Sequence, residues 1–143
     1  MRYRKRRVDP ERVRALAAHV LRAEGRPDAA LSVTVVNDRR IAALHRDYLQ
    51  VPGPTDVLSF PLDDDGDAGV PGLPSLLGEV VVSADTAARE ARARRLPFER
   101  ELLLYVAHGA LHLLGYDDHE PRERARMHRR QETLLERFLR RGS

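Results

Sequence analysis

The segment Leu102-Leu-Leu-Tyr-Val-Ala-His-Gly-Ala-Leu-His-Leu-Leu114 leaves little freedom in how this chain folds. Wound as a helix it is apolar on nearly every side, so it has no face to offer to water. A helix of that kind has to be central, with the other elements built around it. At 143 residues the chain is expected to form a single domain, residues 1–143, because domains commonly hold ~100–150 residues. The polar exceptions along the buried segment are His108 and His112, and their placement asks for a chemical reason.

The remaining elements can be read around this core. Asp9-Pro10 has the form of an N-cap followed by proline at the first helical position. Val13, Leu16, Ala17, Val20 and Leu21 then recur at helical spacing until Gly25. Leu31–Val36 alternates and is β-branched, which predicts a strand. A short helix over 38–48 follows, with Ile41 and Leu44 inward, and is broken by Val51-Pro-Gly-Pro54. Asp56–Phe60 is the second expected strand, ended by Pro61, and Glu79–Val82 the third. Residues 62–77, with Asp63-Asp-Asp-Gly-Asp67, are expected to be a solvated loop, since the acidic run lacks the ligand spacing of an EF-hand. Ser83 or Asp85 is placed to cap a helix bearing Ala87, Ala88, Ala91 and Ala93. Pro97 opens the buried helix, and a last helix runs over 121–139 with Met127, Leu134, Leu135 and Phe138 among arginines. Strands and helices mix without strict alternation. The expected class is therefore α+β: a small mixed β-sheet packed by about five helices, the central one carrying the two histidines.

Composition narrows the chemistry. There is no cysteine, so disulfides and thiolate metal sites are excluded and a transition metal has to be held by imidazole or carboxylate. No apolar run reaches the ~18–20 residues of a membrane helix. The basic Met1–Val8 start has no apolar stretch behind it and is not expected to be a secretory signal, which makes the cytoplasm the default location. All but one of the 25 basic residues are arginine, whose planar fork suits phosphate and base stacking. That permits an RNA partner, although arginine enrichment also follows from a GC-rich genome.

In His108-Gly-Ala-Leu-His112 the imidazoles stand four residues apart, on one helix face with ~6 Å of rise between them. Both can reach a single ion, which would compensate for placing them in an apolar helix. Gly115 can then end the helix and turn the chain back, so that a third ligand from Tyr116-Asp117-Asp118-His119 closes on the same ion. The layout resembles that of metzincin proteases. Gly109, however, stands where those enzymes carry their glutamate general base, which disfavours a peptidase. His19, His45 and His128 are assigned no role: the first is expected to lack partners and the other two to lie on exposed helix faces.

His108-Gly-Ala-Leu-His-Leu-Leu-Gly-Tyr-Asp117 resembles the signature of the YbeY endoribonucleases, metal-dependent bacterial rRNA maturation factors. Pro54-Thr-Asp-Val-Leu-Ser-Phe-Pro61 resembles the family's other hallmark, and Leu77-Gly-Glu-Val-Val-Val-Ser83 matches a third block more loosely. The resemblance covers residues 9–139. It implies the α+β fold, one bound zinc ion and endonucleolytic cleavage of single-stranded RNA. It also implies work on the 3′ end of small-subunit ribosomal RNA and in ribosome quality control. Ribosomal RNA and the ribosome would be the partners, with a small-subunit ribosomal protein and a GTPase suggested by the same resemblance.

Two departures from the family pattern matter. The register in which the family carries its third histidine holds Asp118 here, and His119 follows one position later. Either can be the third ligand beside His108 and His112. A family arginine five residues before Pro54 is replaced by Leu49, so Arg46, one helical turn earlier, is a candidate for contact with RNA. Arg39 and Arg40 are others. Thr55, Asp56 and Ser59 are candidate substrate-facing residues. His108 and Asp117 are the candidate catalytic residues, Asp117 either orienting a ligating imidazole or capping the final helix. Arg89, Arg92, Arg94 and Arg95, with Arg2, Arg4, Arg6 and Arg7, are candidate phosphate contacts. The rival readings are a non-catalytic ribosome-assembly factor with a structural metal and a metallohydrolase acting on another bond.

Overall fold

The computed structural model describes residues 8–49, 56–62 and 75–141. Five helices and three strands run in the order α1 (Pro10–Ala23), β1 (Ala29–Val36), α2 (Asp38–Leu49), β2 (Val57–Pro61), β3 (Ser75–Ser83), α3 (Ala84–Arg94), α4 (Phe98–Leu113) and α5 (Pro121–Arg140). The sheet order is β1-β3-β2. β1 lies parallel to β3, from Ala29 opposite Ser75 to Val36 opposite Ser83. β2 runs antiparallel to β3, with Val57 opposite Val82 and Phe60 opposite Glu79. This is the small mixed sheet of an α+β fold.

The buried helix is where its sequence demanded. Leu102, Leu103, Val106, Ala107, Ala110 and Leu111 of α4 are buried against the sheet and against α1, α3 and α5. Each fully buried leucine contributes ~1.5–3 kcal/mol relative to exposure. Gly109 allows α4 to lie close to the sheet, because a Cβ there would come within 2.5 Å of Val80 Cγ1. The position where a metzincin-like site would carry glutamate is thus occupied by a helix–strand contact with no room for a side chain.

Local signals explain the ends. Asp9 caps α1, its carboxylate accepting from the Glu11 and Arg12 amides. Ser83, and not Asp85, caps α3 by accepting from the Thr86 amide. The third strand is longer than its β-branched core suggested. Residues 75–77, expected in the loop, belong to β3, with Ser75 and Leu76 paired to Ala29 and Ala30 at the start of β1. Ala93 is exposed and not part of the α3 contact face. The acidic run at 63–67 and the arginines at 2, 4, 6 and 7 lie outside the described residues. Among the described residues no helix is long and apolar enough to cross a membrane.

Candidate metal centre

α4 presents His108 and His112 on one face, with ring centroids 4.8 Å apart and nearly perpendicular. The helix ends at Leu114, and Gly115, at φ +107°, takes a backbone conformation that L-residues rarely adopt. The Tyr116 amide donates to the Leu111 carbonyl across the turn. The chain then folds back and carries Asp118 over the histidines. Asp118 Oδ2 is 3.4 Å from His112 Nε2 and 3.9 Å from His108 Nε2. Ligand atoms of His108, His112 and Asp118 all lie within 4.8 Å of one another.

His119 goes elsewhere. It is exposed, and its Nδ1 is 2.5 Å from Asp117 Oδ1, which also accepts from the His119 amide. These two residues and Asp118 form a second, more exposed group that could hold an ion. Asp117 therefore faces His119 and not the histidines of α4, and it does not cap α5, which begins after Glu120 without a side-chain cap. The Asp118 main-chain carbonyl accepts from Arg124 Nε, tying the turn to the first part of α5.

Sequence reasoning missed Gln131. This α5 residue is buried, and its Oε1 lies 2.8 Å from His108 Nδ1. With an amide oxygen as acceptor, Nδ1 carries the proton and Nε2 keeps its lone pair for the cluster. Burial is the largest influence on His108 and holds its pKa below the usual imidazole value, against the opposing effect of the Gln131 hydrogen bond. The neutral, ligating form is thereby favoured. Two imidazoles and one carboxylate, with a partner fixing one ring, suit a zinc-like ion, and they are fewer ligands than a closed structural site requires. A signal for Gln131 was present in the sequence. It follows Met127 by four residues and precedes Leu134, Leu135 and Phe138 on the buried face of α5, so a polar side chain there needs a partner.

The other candidates divide. Asp56 borders the cluster, lining two adjoining cavities that also share His108 and Asp118. Ser59 turns inward, and its hydroxyl donates to the Gly109 carbonyl at 3.2 Å. Leu58 is buried, and Val57 and Phe60 are packed against the core. Thr55 lies outside the described residues. Arg46 is exposed on α2, pairs with Asp47 at 3.2 Å, and lines neither of these cavities. Arg39 and Arg40 are exposed on α2. Arg89 and Arg94 line the larger cavity but are tied to acids, Arg89 to Asp38 at 2.6 Å and Arg94 to Glu90 and Glu101 at 3.5 Å. Arg92 and Arg95 are exposed.

Two of the histidines set aside in sequence differ from expectation. His19 has partners: it is buried, Nε2 lies 3.1 Å from the Leu134 carbonyl, and its ring centroid is 5.7 Å from that of Phe138. The spacing of Leu16 and Val20 hid this, because His19 points to α5, an element far along the chain. His45 is half-buried on α2 and not exposed, whereas His128 is exposed and borders the larger cavity.

A helix-borne pair of imidazoles closed by a carboxylate, on an α+β scaffold beside an open cleft, has the donor set and setting of a metal-assisted hydrolase. A family model described as endoribonuclease YbeY matches residues 1–139, and the chain belongs to that family. A protein named endoribonuclease YbeY from Anaeromyxobacter is 50% identical over 123 residues, covering 86% of this chain. The chain spans 62% of that relative's length. One from Syntrophotalea carbinolica is 43% identical over 139 residues, covering 96% of this chain and 91% of the relative. The solution structure of TM1509 from Thermotoga maritima shares the fold, with a TM-score of 0.62 and 29% identity over 90% of this chain and 79% of that one.

Proposed function

We propose that this chain is a zinc-dependent endoribonuclease that cleaves single-stranded RNA and acts at the immature 3′ end of small-subunit ribosomal RNA and in ribosome quality control. It would work in the cytoplasm on the ribosome, alongside a small-subunit ribosomal protein and a GTPase. The observation that carries the reading is the convergence of His108, His112 and Asp118 within 4.8 Å in a chain of the YbeY family. Zinc is favoured over harder cations because two of the three donors are imidazoles.

In this reading His108, His112 and Asp118 hold the ion, and Asp118 serves where relatives use a third histidine. When bound, the ion supplies Lewis-acid polarisation of a phosphodiester and activation of water near neutral pH. The chain's own residues do the rest. Gln131 keeps His108 Nε2 free to ligate. Asp56, at the border of both cavities, limits the approach of the RNA backbone and orients donors of the substrate. Asp117 holds the exposed His119 ring beside Asp118. Ser59 acts through α4, its hydrogen bond to Gly109 fixing the helix turn between the two ligands. Arg46 remains a candidate for contact with RNA beyond the cavities, and Thr55 adjoins Asp56 in sequence.

The test is cleavage of an RNA fragment carrying the immature small-subunit 3′ end. Wild type is compared with His112→Ala, each with and without a chelator, in nuclease-free preparations. Cleavage lost on metal removal and in His112→Ala is the expected result. Cleavage indifferent to the substitution would overturn the site assignment. Leu49, in place of the family arginine, favours one second reading, a non-catalytic assembly factor with a structural metal. A folded, metal-loaded wild type that cuts nothing would support it, and Leu49→Arg would then be the variant to compare.

A further inference from the structure

One buried acid has no part in holding the ion or in the steps assigned to the cluster. Glu101 lies on α4, seven residues before His108 and so two turns along the same helix face, ~10 Å from it. Its side chain is 1% exposed, and Oε1 has no hydrogen-bond partner among the described residues. The other oxygen is weakly held. Tyr105 donates to Oε2 from 3.5 Å, and Arg94 Nη1 stands 3.5 Å away. Arg94 is itself 56% exposed and shared with Glu90. A long, solvent-facing arginine at that distance does not offset the burial of a carboxylate, which is costly unless well paired.

Glu101 lines a cavity of about 590 Å³ that continues to His108 and Asp118. The walls are acidic: Asp56, Glu90, Glu101, Asp118 and Glu132 against Arg89 and Arg94. Arg89 is already committed to Asp38 at 2.6 Å. Away from the histidine–aspartate cluster, where a bound ion would take the phosphate, such a wall repels phosphate and attracts hydrogen-bond donors. A second metal ion is not what it fits, since Glu101 shares no convergent group of ligating side chains among the described residues. Leu104 and Tyr105 add apolar and aromatic surface beside the carboxylate. Acceptor, aromatic wall and a size of a few hundred cubic ångströms together match a nucleobase.

We infer that this cavity is a base-specificity subsite, in which Glu101 Oε1 accepts a hydrogen bond from the amino group of a nucleobase flanking the phosphate held at the histidine–aspartate cluster. The inference rests on the endoribonuclease reading. Adenine, cytosine and guanine carry amino donors, whereas uracil presents its N3–H between two carbonyl oxygens that a carboxylate repels. Arg94, as the exposed cover of Glu101, swings aside to admit the base. Glu101 is thus a specificity-determining residue, and uracil is the base it disfavours.

The experiment measures binding of short 2′-O-methyl oligonucleotides, which resist 2′-hydroxyl-driven cleavage, to the metal-loaded full chain by fluorescence anisotropy. Oligomers of adenosine, cytidine and uridine are compared, together with one in which purine riboside replaces adenosine and removes only the amino group. Wild type is expected to prefer the amino-bearing oligomers about tenfold, the scale of one hydrogen bond to a charged group. Glu101→Leu, which offers no acceptor at similar volume, should lose that preference while melting at a temperature close to or above wild type, since a poorly paired buried carboxylate is removed. Equal binding of adenosine and purine riboside by wild type would overturn the inference, and that comparison needs no variant to fold. A preference kept in full by Glu101→Leu would also overturn it. Binding without discrimination leaves the endoribonuclease reading standing, whereas no binding of any oligomer overturns both.

Discussion

Among single residues, the site depends on contacts that differ in kind. His112→Ala removes one of the proposed ligands, and metal-dependent cleavage should fall by at least ~100-fold, a loss read in the same assay with and without chelator. Gln131→Leu removes only the acceptor behind His108. Loss of a hydrogen bond of this type typically weakens metal affinity ~10–100-fold, measurable by competition with a chromophoric chelator, with the fold retained. Gly109→Ala acts through packing, because the new methyl meets Val80 Cγ1 at 2.5 Å. Overpacking of this type costs ~1–3 kcal/mol, to be read in chemical denaturation. An unchanged midpoint would mean that α4 and β3 can separate at no cost.

Between elements, α1 and α5 are held together by groups that respond to pH. His19 of α1 faces the Leu134 carbonyl of α5, and burial holds its pKa below 6.5 in the folded chain, with nearby Arg141, Arg22 and Arg137 acting in the same direction. The unfolded chain therefore binds the proton more readily. The stabilising neutral form is fully present above ~6.5, and stability falls as pH drops through that value towards the lowered folded pKa. His19→Gln keeps a donor without the titration, so its urea midpoint should change less over that window. A variant and a wild type with parallel pH curves would remove His19 from this role. Asp38 of α2 links a second pair of elements. Its carboxylate is held below the usual range despite the opposing effect of burial, by bonds from Ser83, Arg89 and Thr86 around the start of α3. That contribution is present above the ordinary carboxylate pKa and is lost as pH falls through the lowered one.

For the molecule as a whole, charge and metal set the behaviour expected in solution. If arginines outside the acidic cavity grip the RNA backbone, affinity should fall steeply with salt, and neutralising one contacting arginine should make the log–log slope shallower by roughly one. Arg92 and Arg95, both exposed on or just after α3, are the first to change. A flat salt response would place the energy of binding in the cavity instead. A metal held at the proposed site would also stabilise the folded chain by mass action, so a chelator should lower the melting temperature of wild type and leave that of His112→Ala nearly unchanged.

Features whose physics is local or periodic were legible in the amino-acid order alone. The all-round apolar helix had to be central, Asp9-Pro10 had to begin a helix, Ser83 or Asp85 had to begin another, and His108 and His112 had to share a face, because each follows from spacing within one element. Gly115 likewise announced the turn, since few other residues accept its backbone conformation. Meetings between elements distant in the chain were settled by folding. Asp118, and not His119, comes to the two imidazoles because the turn folds one carboxylate back over α4 and sends the next ring to Asp117. Gln131 reaches His108 and His19 reaches Leu134 only once α5 has docked, 23 and 115 residues away in the chain. Gly109 read in sequence as a missing general base, and in the fold it is the space that lets α4 rest on Val80. Glu101 carried no signal beyond a charge in an apolar helix, and its lack of a partner for Oε1 among the described residues became visible only once the elements had packed around a cavity that Glu101 lines. Periodicity states which face is buried; the identity of what lies across from that face is set by packing, and there the chemistry of this site is assembled.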